Sequence, residues 1–252
     1  MIEKTNKGIK ATRYEWDSRG YLNALHLPDG KTIHYQYDSM GNRILEEKPH
    51  STIHYRYDNF GRLIRAENTK YEWNMNGNLI SETGKEFNAR IRYNGRGLPS
   101  LIRVADSTFR YQWDGDGNMI SKRMGKDTTH YLPNPLAPPG FTLAEYDRTG
   151  KIQNAYLYED TLLGRRDRDG QMQYFLEDGF NSIRYIADIK GDILGHRNYS
   201  PFGEPTSMKG EMPVNFRMAG ERFLPETKSY LVGSRLYEPK IGRYMTPDPL
   251  SD

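Results

Sequence analysis

The sequence repeats with a short, nearly constant period, and that period leaves few folds open. Six segments align: YEWDSRGYL from Tyr14, YQYDSMGNRI from Tyr35, YRYDNFGRLI from Tyr55, YEWNMNGNLI from Tyr71, IRYNGRGL from Ile91 and YQWDGDGNMI from Tyr111. Their glycines, Gly20, Gly41, Gly61, Gly77, Gly97 and Gly117, are 21, 20, 16, 20 and 20 residues apart. Each unit reads as a hairpin. In Tyr35-Gln36-Tyr37 two rings flank one polar residue, which puts both rings on one face of a strand. Asp38 to Gly41 then predicts a turn. The Asp side chain accepts a hydrogen bond from the backbone two residues on, and Gly takes the left-handed conformation. Alternation resumes at Asn42-Arg43-Ile44-Leu45, and a second turn such as Leu27-Pro28-Asp29-Gly30 returns the chain. One period therefore holds two strands and two turns.

Composition points the same way. Hydrophobic residues make up only 36% of the chain, yet it carries 19 Tyr and 24 Gly. Aromatic side chains suit a pleated surface and Gly suits tight turns, so short strands are expected and long helices are not. Later copies of the unit are degenerate: Tyr146 to Gly150, Asp167 to Gly170 and Asp188 to Gly191 keep the turn. Pro133-Asn134-Pro135-Leu136-Ala137-Pro138-Pro139-Gly140 interrupts the pattern. Four prolines cannot donate to a ladder, so this stretch predicts a loop or crossover.

Several function classes lose support at this level. The 36 basic and 33 acidic residues leave a net charge of +3. No run of five like charges occurs and no basic stripe is visible along the sequence, so nucleic acid is not an expected partner. With no cysteine there is no disulfide or thiolate chemistry. Met1 to Thr12 is charged and lacks the apolar stretch of a secretory signal, and no segment approaches 18 apolar residues, so no membrane span is expected. His26, His34, His50, His54, His130 and His196 are scattered, with His34 and His54 simply following the repeat. No metal-ligand spacing occurs, and Asp114-Gly115-Asp116-Gly117-Asn118 fails the calcium-loop pattern at Met119 and Gly125. No nucleotide or cofactor fingerprint is present, and no cofactor is expected.

The C-terminal part carries a resemblance to the Rhs/YD-repeat family, which includes bacterial Rhs polymorphic toxins, the C component of Tc toxins and the teneurins. Asp178-Gly179-Phe180-Asn181-Ser182-Ile183-Arg184 resembles the family's DHLGSVR. Tyr199-Ser200-Pro201-Phe202-Gly203-Glu204 resembles its Y-x-PFGE. Ala219-Gly220-Glu221-Arg222, Pro225-Glu226-Thr227 and the run from Arg235 to Tyr244 follow in the family's order, and Thr246-Pro247-Asp248-Pro249 is similar to the closing SPDP. The resemblance covers about Tyr14 to Pro249. It divides the chain into regular hairpins over 1–132, a Pro-rich loop over 133–140, degenerate repeats over 141–210 and a closing segment over 211–252.

What the resemblance implies is an all-β fold: a spiralling antiparallel sheet, as a partial shell or ribbon of β-hairpins, with a C-terminal plug segment. Its function would be structural. In this family the shell encloses a C-terminal toxin, and the closing segment folds inward and can act as an aspartyl autoprotease. Such chemistry uses two carboxylates that share a proton. Asp248 is the motif aspartate, Glu238 and Glu226 are candidate partners, and Arg235 and Arg243 are candidate supports. The family's cleavers read DPxGL where this chain reads Asp248-Pro249-Leu250-Ser251-Asp252. The expected partners are a C-terminal toxin polypeptide or further shell segments, and a component of a secretion system. The expected location is outside the cell by a route that uses no secretory signal.

Area limits the claim. About 24 strands, ~4.8 Å apart and roughly 20 Å long, cover on the order of 2,300 Å². Enclosing a ~100-residue cargo of about 13 Å gyration radius needs on the order of 6,000 Å². The chain is thus expected to supply part of a wall, to be a remnant, or to form a small ribbon packed on itself. The alternative function is a surface adhesion or carbohydrate-binding module of teneurin type, whose Tyr/Trp pairs would stack on sugars. The bland reading of those pairs is that they line an inner face and pack there.

Overall fold

In the computed structural model residues 2–5, 8–137, 140–212, 215–216 and 218–248 are described, with side chains from Ala11 onward. The chain forms two compact units, one of residues 1–73 and 81–86, the other of 74–80 and 87–252. In the first unit β1 (Ile2–Thr5) pairs with β2 (Gly8–Ala11). There β3 (Arg13–Trp16), β4 (Leu22–His26), β5 (Thr32–Tyr37), β6 (Arg43–Lys48), β7 (Ser51–Tyr57), β8 (Leu63–Ala66) and β9 (Thr69–Trp73) pair antiparallel in sequence order. β10 (Leu79–Thr83) draws residues from both units.

The second unit continues the same pattern. β11 (Asn88–Tyr93), β12 (Pro99–Val104), β13 (Ser107–Trp113), β14 (Met119–Met124), β15 (Asp127–Pro133) and β16 (Thr142–Asp147) pair in order. They are followed by β17 (Ile152–Tyr158), β18 (Leu162–Asp167), β19 (Met172–Glu177), β20 (Ile183–Asp188), β21 (Ile193–Tyr199) and β22 (Pro205–Gly210). A separate four-stranded sheet closes the described chain: β23 (Arg222–Leu224), β24 (Ser229–Val232), β25 (Arg235–Glu238) and β26 (Arg243–Tyr244). The fold is all-β and antiparallel. Among the described residues the only helical turn is Met218–Gly220, where Ala219 has φ 51°.

The Asp-x-x-Gly unit makes these hairpins for a local reason. The Asp38 carboxylate accepts from the Met40 N–H at 2.9 Å, as the sequence predicts, and also from the Asn42 N–H at 2.8 Å. The Gly41 N–H donates to the Asp38 carbonyl, and Gly41 has φ 81°, a region that costs residues with a Cβ. One side chain thus fixes a five-residue loop. The loop inserts a bulge: Gln36 faces Leu45 while Tyr37 faces Arg43, leaving Ile44 as the extra residue. Asp58, Asp114, Asp147, Asp167, Asp178 and Asp188 repeat both backbone contacts. Within the Pro-rich segment Asn134 accepts from the Leu136 N–H and donates its own N–H to the Phe141 carbonyl, and β15 pairs with β16 across the loop. Pro138 and Pro139 lie outside the described residues.

From the second copy on, where a unit has two aromatics they do different work. The first is buried: Tyr35, Tyr55, Tyr71, Tyr111 and Tyr131 are only 3–5% exposed. The second lies beside the preceding turn and donates to its backbone. Tyr57 Oη donates to the Arg43 carbonyl, Trp73 Nε1 to Leu63, Tyr93 Oη to Leu79, Trp113 Nε1 to Pro99 and Tyr199 Oη to Ile183, all at 2.7–3.0 Å. In the first four the acceptor lies two residues past the preceding turn glycine. The preference for Tyr or Trp follows, since Phe has no donor for this contact. Leu63, Leu79, Ile102, Ile183 and Ile186 are fully buried, each worth about 1.5–3 kcal/mol of burial.

Candidate functional site

The residues singled out from the sequence lie in the closing segment, and that segment is packed in the second unit. All three residues of β23 are buried, as are Ser229, Tyr230 and Leu231 of β24, so neither face of β24 meets solvent. Tight turns set this up. Lys228 (φ 54°) leads into β24, and Gly233 (φ 57°) and Gly242 (φ 68°) turn the chain before β25 and β26. Tyr230 Oη donates to the Gly203 carbonyl at 2.8 Å and Tyr237 Oη to the Phe202 carbonyl at 3.0 Å, which ties the sheet to the Pro-Phe-Gly-Glu loop. The Leu79 N–H donates to the Met245 carbonyl at 2.8 Å.

Two ion pairs join this segment to the strands around it. Arg222, 2% exposed, lies 2.7 Å from Glu145 Oε1 on β16, with its guanidinium 4.6 Å from the rings of Tyr131 and Phe216. Glu145 also accepts from Tyr156 Oη and Asn154 Nδ2. Burial pushes the Glu145 carboxyl up, but Arg222 and these donors outweigh it and hold it below the usual carboxylate range. Glu226 accepts from Tyr111 Oη on β13 and sits 3.4 Å from Lys122 Nζ on β14. Burial, then the Glu226 charge, push the Tyr111 hydroxyl well up.

Asp248 Oδ2 is 3.0 Å from Arg235 Nη1, and that guanidinium lies 3.9 Å over the Tyr244 ring. The Asp248 side chain is 47% exposed. Glu238 is buried on β25, opposite Arg243 in the strand register. The structure therefore brings Asp248 to Arg235 and sets Glu238 across from Arg243. It gives Glu226 other partners, since its two oxygens go to Tyr111 and Lys122. Pro249, Leu250, Ser251 and Asp252 lie outside the described residues. Among the described residues no cluster of His, Cys, Asp or Glu could hold a metal.

Sequence reasoning missed Glu145 and Lys122, although a signal existed. The fifth residue after the turn glycine faces the buried first aromatic across the ladder: Glu46 opposite Tyr35, Lys122 opposite Tyr111, Glu145 opposite Tyr131. A charge at that phase predicts a buried ionic group needing a partner. In the first unit Glu46 finds Lys48 at 2.9 Å and Arg43 at 3.7 Å on its own strand. In the second unit the partners come from the closing segment. As for sugar stacking, the buried first rings offer no open face. Exposed rings of a repeat pair remain at Tyr14 and Trp16.

Comparison with known proteins places this architecture. Over 240 residues the chain is 26% identical to the tRNA3(Ser)-specific nuclease WapA of Bacillus spizizenii, covering 89% of this chain and 10% of that protein. It is 25% identical over 247 residues to Teneurin-3 of Danio rerio, covering 93% of this chain and 9% of that protein. The chain thus spans about a tenth of the length of these relatives. Its fold resembles the crystal structures of TcdB2-TccC3-TEV and TcdB2-TccC3-Cdc42, with TM-scores of 0.51 and 0.50 at 16% and 17% identity, over 98% of this chain and 18% of theirs. The family model described as Teneurin YD-shell matches residues 1–252. With that match running its full length, the chain belongs to the Teneurin YD-shell family.

Proposed function

We propose that the chain is a structural segment of a YD-shell wall whose closing segment, residues 218–248, is a plug seated against the inner face of its own strands. The observation that carries this is the buried Arg222–Glu145 pair, supported by the Glu226–Lys122 pair. Burying an ion pair stabilises a structure only weakly, but breaking one is costly, so the two pairs specify one seating. A relative named as a tRNA nuclease and a relative named as a teneurin are similar to this chain over 89% and 93% of its length, which supports a structural role over one shared chemistry. The cargo on this reading is a polypeptide C-terminal to the plug, which needs more wall than this chain supplies, and delivery places it outside the cell.

Asp248 is on this reading a latch residue. Aspartyl chemistry needs two carboxyl groups sharing a proton. The Asp248 carboxylate meets a guanidinium, and the Glu226 carboxylate meets Tyr111 and Lys122. Limited digestion with a nonspecific protease tests the plug. Residues 218–245 should stay uncut in the unaltered chain and become cleavable in Glu145→Gln. Early cutting there, with residues 11–210 still folded, would overturn the seating. A C-terminally extended chain tests the latch. It should remain intact, whereas self-cleavage that Asp248→Asn abolishes would make Asp248 catalytic.

A further inference from the structure

The chain contains two Asn-Gly dipeptides, Asn76-Gly77 and Asn94-Gly95. Asparagine before glycine is chemically labile, because glycine has no side chain to keep its nitrogen from the carboxamide carbon. The fold treats the two sites differently. Asn94 is the first residue of its turn, and its Oδ1 accepts from the Arg96 N–H at 2.9 Å and the Leu98 N–H at 3.1 Å. Swinging that carboxamide onto the Gly95 nitrogen breaks both bonds and undoes the turn. Asn76 is the third residue of its turn, where Asn74 already serves as the acceptor, taking the Asn78 N–H at 2.9 Å. Asn76 is exposed, and among the described residues its carboxamide has no partner. The one bond that ring closure must break there is the Gly77 N–H to the Asn74 carbonyl, at 3.1 Å.

What lies over Gly77 gives this site a consequence. A Cβ built on Gly77, at φ 75°, would come 2.8 Å from Pro247 Cγ, so the closing motif rests directly on that turn. Two residues on, the Leu79 N–H donates to the Met245 carbonyl. Asp116 holds the same turn position as Asn76, and it too precedes a glycine beneath the closing segment: a Cβ built on Gly117 would lie 3.7 Å from Ser234 Cβ. An ordinary aspartate at this position is therefore tolerated. An isoaspartate is not its equivalent, since it routes the main chain through the side-chain carbonyl carbon and adds a methylene to the backbone just ahead of Gly77.

We propose that Asn76 is a modification site, at which spontaneous deamidation to isoaspartate unlatches the closing motif. The Gly77 nitrogen attacks Asn76 Cγ and forms a C–N bond. The bond from Cγ to Nδ2 breaks, and ammonia leaves with the proton that the glycine nitrogen gives up. Water then opens the succinimide. Attack at Cγ restores an ordinary aspartyl link, whereas attack at the main-chain carbonyl carbon leaves Gly77 joined through Cγ, the isoaspartyl form. The added methylene has no room beneath Pro247, which lifts and draws Asp248 from Arg235. The site stands on turn geometry alone, while the unlatching rests on the seated closing segment proposed above.

Ageing the full chain in mildly alkaline buffer tests the proposal, with peptides mapped by mass spectrometry and isoaspartyl groups labelled by an isoaspartyl methyltransferase. In the folded chain Asn76 should convert about tenfold faster than Asn94, and in urea the two rates should converge. Equal rates in the folded chain, or an Asn76 that stays intact, would overturn the site. The isoaspartyl fraction is then separated by charge, and hydrogen exchange is read at the amides of Arg243 to Thr246. Exchange there should be faster than in the fresh chain, while an aged Asn76→Ser variant should keep the fresh rate. An unchanged rate in the isoaspartyl fraction would overturn the unlatching. Fast exchange already in the fresh chain would overturn the seated segment and the unlatching together, with the site judged by conversion alone.

Discussion

At the scale of single residues, each repeat is held by one carboxylate and one aromatic donor. Tyr93→Phe and Tyr57→Phe keep the ring but remove the donor to the preceding turn. Each should cost about 0.5–1.5 kcal/mol in denaturant unfolding, and an unchanged midpoint would show that the contact is incidental. Glu221 makes a different prediction. Burial pushes its carboxyl up to about 7, against a backbone hydrogen bond from Gly233 that lowers it. Between the ordinary carboxylate range and pH 7 the unfolded chain has released this proton while the folded chain keeps it. Stability should therefore fall as pH rises through that window, by on the order of 3 kcal/mol at most. Glu221→Gln should flatten the profile, and a profile of unchanged slope would remove Glu221 as its cause. The turn carboxylates act in the opposite sense. Backbone donors, the Tyr21 N–H foremost, lower Asp17. Asp58 is lowered too: desolvation raises it, but the Arg62 N–H, the Arg62 side chain and the Phe60 N–H outweigh that. Their contribution is present above the usual carboxylate range and lost as pH falls through the lowered value.

At the scale of elements, strands are set by where the backbone comes close. A Cβ added at Gly164 on β18 would lie 2.4 Å from the Gln173 carbonyl oxygen on β19, whereas one at Gly115 would meet nothing within 4 Å. Gly164→Ala should therefore force β18 and β19 apart and destabilise by about 1–3 kcal/mol. Gly115→Ala should be near neutral, and equal effects in thermal unfolding would contradict this register. The hairpins themselves were legible: Asp38 to Gly41 announces its turn, and Tyr35-Gln36-Tyr37 announces a strand. The bulge after Tyr37 was not, because it arises from a second hydrogen bond to Asp38, four residues on, that no composition rule encodes. The inward charges at Glu145 and Lys122 were legible only by phase within the period.

At the scale of the whole chain, the closing motif was readable as a motif while its contacts were not. The Thr246-Pro247-Asp248 run and the Ala219-Gly220-Glu221-Arg222 run announce a family. Nothing local in them says that Arg222 meets Glu145, 77 residues away, or that Glu226 meets Tyr111, 115 residues away. Those pairs make the plug reading specific, because they assign two charges of the segment, Arg222 and Glu226, to a charge or ring of particular strands. The most direct measurement is a charge-swap cycle read by hydrogen exchange of the amides in residues 222–245. In the unaltered chain these amides should exchange as slowly as those of β11–β14. Lys122→Glu alone and Glu226→Lys alone should each speed exchange about tenfold or more, and the double swap should restore a substantial part of the protection. Fast exchange of residues 222–245 in the unaltered chain, or singles that change nothing, would contradict a seated segment.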